Sequence, residues 1–193
     1  MKTIERLQNN KLLLLLSSFL FFSSFAITFI FIYFDFNSQG MTIKNDLSFS
    51  KHPTIFFFIK NNLSATFFLF LGSVVFSIPT VVQLIFLGVR FGIGSSYILK
   101  NTSVKINEIL ALTLPHGIFE ILAMIIAGAA GFKIPYEIIR YLAGKKETIL
   151  TREDIKEYLT LALISIILIV IAAFVEAYIT PRIAEYFLLS PVE

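Results

Sequence analysis

The sequence predicts an all-α, polytopic transmembrane bundle of about five spans, with its N-terminus inside and its C-terminus outside. Three observations lead there. Hydrophobic residues make up 56% of the 193 positions and charged residues only 15%, against roughly 25% charged in soluble domains. The charges are bunched between long uncharged runs, and those runs are long enough for helices that cross a bilayer. The Lys and Arg residues then flank the runs, as topology signals do.

The first run, residues 12–34, is uncharged and follows a short basic cytosolic N-terminus, 1–11, holding Lys2, Arg6 and Lys11. As a helix it would reach about 34 Å, longer than a cleaved leader's apolar segment, so it reads as an uncleaved anchor. A polar loop follows from Asp35 to Lys60, broken by the apolar patch Ile55–Ile59, which is too short to span and suits the interface. Residues 63–99 carry Arg90 as their one charge and are too long for one helix. Proline lacks a helix donor and disfavours helix just before itself. Pro79 therefore divides the run into spans 63–78 and 80–99. Residues 100–114 suit a short interfacial helix. Pro115 opens a fourth span, 115–132, because proline fits a helix's first turn. Residues 133–157 form a charged cytosolic linker with amphipathic helical spacing. The fifth span, 158–179, stops at Pro181.

These elements form a single bundle, 12–182, in the cell membrane, with no room for a separate soluble catalytic domain. With the N-terminus inside, the inner segments hold nine Lys and Arg and the outer segments six, which sets the N-in, C-out orientation. The net charge of +3 belongs to these flanks and to lipid headgroups rather than to nucleic acid. The absence of cysteine excludes disulfides and thiolate chemistry. Ala123, Ala127 and Gly131, and likewise Gly88 and Gly92, recur at four-residue spacing and predict close helix contacts. Such contacts also leave room for a homo-oligomer.

Ionisable residues inside spans are expensive and mark candidate sites. His116 and Glu120 lie four apart and share a helix face. Glu176 lies near the end of the fifth span and Arg90 within the third, and Asn61 and Asn62 open the second. On the predicted topology, His116, Glu120, Glu176, Asn61 and Asn62 fall near the outer face and form an outward polar pocket. Several readings of that pocket stay open. It is a structural network fastening helices, or a site for a partner or peptide. It is an intramembrane hydrolase in which His116, Glu120 and Glu176 hold a divalent metal such as Zn²⁺ and a water, with Asn61 or Asn62 stabilising an oxyanion and Glu120 alternatively the base. Or it is a carrier with a protonatable carboxylate. Arg90, Asn61 and Asn62 are the candidate substrate-binding residues.

The segments Asn61-Asn62, Pro115-His116-Gly117-Ile118-Phe119-Glu120, Ala127-Gly128-Ala129-Ala130-Gly131 and Glu176-Ala177-Tyr178-Ile179-Thr180-Pro181 resemble the stage II sporulation protein M family, over about residues 55–182. One departure is Leu87-Gly88, where that family usually has Asn-Gly. The resemblance implies an integral membrane protein of the cell envelope that engages other membrane or secreted proteins, or a peptide. Sporulation members belong to a complex that remodels peptidoglycan. Others accompany circular-bacteriocin clusters and are implicated in maturation, export or self-protection.

Overall fold

A computed structural model describes residues 2–34, 54–101 and 106–189; most of the loop expected over 35–60 lies outside them. Its elements are α1 (Lys2–Phe34), α2 (Ile55–Leu71), α3 (Ile78–Asn101), α4 (Ile106–Leu142), α5 (Arg152–Phe174), a π-helical turn (Val175–Ile179) and α6 (Thr180–Leu189), with no strand among the described residues. Four segments are long and apolar enough to cross a bilayer: 8–34, 78–100, 109–142 and 152–183. The fifth apolar helix, α2, has 17 residues and is about 25 Å long, short of the roughly 30 Å hydrocarbon core.

Phe19, Ile27 and Phe31 of α1 are each 68% exposed or more, as suits side chains solvated by lipid. The core is small by comparison, built around Phe21, Leu69, Leu84, Leu87, Met124, Ala127 and Phe132. Close backbone approach does much of the packing. A Cβ on Gly88 would lie 2.4 Å from Phe21 O, and one on Gly92 would lie 2.9 Å from Phe25 O. One turn further on, Ser96 Oγ donates to Phe29 O at 3.1 Å, and Lys100 Nζ then donates to Ile32 O at 2.6 Å. Gly88, Gly92, Ser96 and Lys100 thus make one stripe of α3 seated on α1. The small residues of α4 are equally enclosed: Ala123 and Ala127 have no exposure, and a Cβ on Gly131 would lie 2.2 Å from Leu69 O.

Several expected boundaries move. The break between the second and third apolar helices falls at Gly72–Ser77, not at Pro79. Pro79 sits in the first turn of α3, where a missing N–H costs nothing. The Ile55–Ile59 patch is the start of α2 rather than a separate interfacial segment. Pro115 does not open the fourth helix. Both Pro115 and Pro135 lie inside α4, which starts at Ile106 and runs through the first ten residues of the expected linker. Pro135 leaves the Gly131 carbonyl without its α-helical donor, and that carbonyl points to Gly72, at 3.3 Å from where a Cβ would stand. Nor does Pro181 end the last helix. The π turn just before it widens the backbone where Pro181 cannot donate, and α6 continues to Leu189.

The linker is also tied down more firmly than its charge pattern suggests. Lys133, with no side-chain exposure, lies 3.1 Å from Glu137 Oε1 and 2.6 Å from Glu157 Oε2. Its third proton reaches Asn10 Oδ1 at 3.1 Å, so the ammonium is fully satisfied by α1, α4 and α5. Lys146 lies 3.0 Å from Glu137 Oε2 and also pairs with Asp154. Asp154 in turn closes a capping box with Thr151 at the start of α5. This ionic clamp lies at one end of the bundle.

Candidate functional site

The other polar layer lies between α2, α3 and α4. Asn61 and Asn62 reach it from the first half of α2, Arg90 and Ser95 from α3, and Thr113 and Glu120 from α4; with Leu87, Phe91, Gly94, Ile98, Ala65 and Met124 they line a cavity of about 280 Å³. Four of the residues singled out in the sequence, Asn61, Asn62, Arg90 and Glu120, therefore share one cavity. Three helices bring them together because α2 runs parallel to α4 and antiparallel to α3, so the first halves of α2 and α4 meet the second half of α3.

Within the cavity the Asn61 side-chain amide donates to Asn62 Oδ1 at 3.1 Å. Asn62 is buried, one turn before Thr66, whose hydroxyl donates back to Asn62 O at 2.8 Å. The Arg90 guanidinium stands over the Phe86 ring at 5.8 Å, a cation–π contact that holds its stem against α3. Arg90 and Glu120 are close enough to interact through charge, as are Glu120 and Glu176.

Glu120 precedes Lys133 on α4 by about 20 Å at 1.5 Å per residue. Arg90 and Glu120 lie on segments 78–100 and 109–142, both long and apolar enough to cross a bilayer, some way along from the clamp.

His116 and Glu176 lie beside this cavity rather than in its lining. His116 Nδ1 meets the Thr180 hydroxyl at 3.3 Å, joining α4 to the start of α6. Glu176 rides on the π turn, a helix irregularity found often at functional sites. Among the described residues no three His, Cys, Asp or Glu side chains form a group that could hold a metal ion. The trio His116, Glu120 and Glu176 is therefore not gathered as a ligand set in this conformation.

Sequence reasoning left out Ser95, Thr113 and Gly94. Ser95 lies five residues from Arg90, and Thr113 seven residues from Glu120, and that near-heptad spacing along α4 was a usable signal. Gly94 has nothing within 4 Å of an added Cβ, unlike Gly88 and Gly92, because it faces the open cavity. Leu87, which stands where the resembled family usually has Asn, also faces this cavity. Arg90, one turn further along α3, supplies polarity there instead.

The chain is similar to two proteins of Methanocaldococcus jannaschii. It is 49% identical over 169 residues to the uncharacterized protein MJ0793, covering 85% of this chain and 93% of that one. It is 37% identical over 97 residues to the uncharacterized protein MJ0706, covering 47% of this chain and 44% of that one. No solved structure matches it significantly. The family model described as stage II sporulation protein M matches residues 14–181, a span that takes in the small-residue faces, the cavity and the π turn, and the chain belongs to that family.

Proposed function

We propose that the protein is a non-transporting membrane subunit whose intramembrane cavity receives an apolar peptide segment of another cell-envelope protein. The observation that carries this reading is the presence of one cation, Arg90, and one carboxylate, Glu120, in a cavity otherwise lined by amides, hydroxyls and apolar side chains. A lining that balances one charge against another favours a dipolar ligand over an ion of either sign. Peptide amides are such a ligand. In hydrocarbon they have no water to turn to, so the Asn61 and Asn62 amides and the Ser95 and Thr113 hydroxyls become partners of value. Ala65, Leu87, Phe91, Ile98 and Met124 offer the apolar contact that the segment's side chains need. The family's association with peptidoglycan remodelling and with circular-bacteriocin clusters supplies two settings in which such a segment is at hand.

The test is a photo-reactive side chain at Gly94, where the backbone faces open space. Irradiated cells should yield one discrete adduct, and the same group at lipid-facing Leu163 should not. Adducts of equal yield at both positions would reduce the cavity to an ordinary lipid-facing surface.

A carrier reading draws on a different observation, the charge interaction between Glu120 and Glu176 beside a π turn. It predicts proton-coupled uptake in vesicles that Glu176→Gln abolishes.

A further inference from the structure

The connection between α2 and α3 is an apolar tip held at a defined depth. Residues 61–89 contain no ionisable side chain, so this turn joins two helices without the charges that ordinarily mark a water-facing loop. Val74 and Phe76 are 77% and 63% exposed, and their neighbours Val75 and Ile78 are exposed as well. Phe76 and Ser77 adopt φ values of 43° and 65°, the left-handed region that non-glycine residues avoid. The backbone is thus bent unfavourably in a way that turns an aromatic ring outward.

The tip is also pinned. Ser77 N donates to Gly72 O at 2.8 Å, and Thr80 Oγ1 donates to Leu69 O at 2.8 Å across the turn. Gly72 packs beside the Gly131 carbonyl of α4. Gly131 is about 13 Å along α4 from Arg140, and the charged connection of residues 143–151 lies beyond that. Four residues looping between pinned ends reach at most roughly 8 Å from them. The tip cannot extend as far as the charged connection does.

We infer that the α2–α3 tip is a lipid-inserted surface, with Val74, Val75, Phe76 and Ile78 set among the acyl chains of the leaflet that holds the ionic clamp. Its partner is the bilayer itself. The short α2 fits this arrangement: a helix that need not cross the whole hydrocarbon core can be shorter than the core is thick.

The protein has no tryptophan, so one substitution supplies a unique fluorophore. The full chain carrying Phe76→Trp, and separately Val74→Trp in case the strained position refuses the larger ring, is reconstituted in phosphatidylcholine vesicles. Ile149→Trp, in the charged connection, is the comparison. The inference predicts blue-shifted emission at the tip, strong quenching by nitroxides on lipid acyl chains and weak quenching by aqueous acrylamide, with the reverse order for Ile149→Trp. Acrylamide quenching at the tip equal to that of Ile149→Trp would overturn it, placing the turn in water. Protection from both quenchers would overturn it too, by showing that a second copy rather than lipid covers the tip.

Discussion

Lys133 Nζ lies 2.6 Å from Glu157 Oε2, with the lysine side chain wholly buried and the glutamate 22% exposed, so an ion pair at the edge of the packed interior joins α4 to α5. Charges that look in the sequence like loop markers are instead an internal fastening. Removing the lysine takes away the cation that Glu137 and Glu157 share.

Lys133→Met should therefore destabilise the protein by about 3 kcal/mol, the low end for a broken buried pair, because Glu137 keeps Lys146 and Arg140 while Glu157 loses its cation. Thermal unfolding in detergent checks this. The double variant Lys133→Met with Glu157→Gln should recover part of the loss. Equal stability of wild type and Lys133→Met would show that the clamp carries no weight.

The glycines of α3 should separate cleanly. Gly92→Leu forces side-chain atoms into the α1 backbone, and Ala127→Leu does the same within the core, so both should lose folded yield, by roughly 1–3 kcal/mol or more. Gly94→Ala meets nothing and should gain about 0.5–1 kcal/mol from higher helix propensity. Yield after size-exclusion chromatography and the melting temperature give the order. Normal yield for Gly92→Leu would contradict the close α1–α3 approach.

The N-in, C-out orientation rests on the Lys and Arg distribution. A cysteine at Tyr186, exposed on α6, should react with an impermeant thiol reagent on intact cells, and one at Ala143 should not. Labelling at Ala143 alone would invert the molecule and turn the cavity inward.

Metal analysis addresses the hydrolase alternative. With His116 turned to Thr180, purified wild type and His116→Ala should both lack stoichiometric metal. Stoichiometric zinc in wild type, lost in His116→Ala, would show that the trio gathers around an ion and would revive that chemistry.

Much of this architecture is legible in the sequence, for reasons that differ by residue. The first helix, the Gly88–Gly92 face and the grouping of Asn61, Asn62 and Glu120 are one-dimensional signals: apolar length, small-residue spacing, and polar residues at matching depth. The turn at Gly72–Ser77 was not legible, because proline is a stronger local mark than a left-handed Phe76, and Pro79 fits a helix start as well as a break. The clamp was hidden for another reason. Lys133 and Glu137 are four apart on one helix, but Asn10 and Glu157 join them only through tertiary packing. Pro115 misled in the same way, since neighbouring helices tolerate a proline that an isolated helix would not.

The most direct measurement of the central claim is the yield of the Gly94 photo-adduct when the charged pair of the cavity is neutralised. Glu120→Gln and Arg90→Gln keep side chains that can hydrogen-bond but remove the charges. If the cavity binds a peptide segment through that pair, each variant should cut the adduct at least tenfold, about 1.4 kcal/mol, while the protein's abundance and melting temperature stay near wild type. An undiminished adduct in both variants would contradict the account, because whatever lies beside Gly94 would then be held without Arg90 or Glu120.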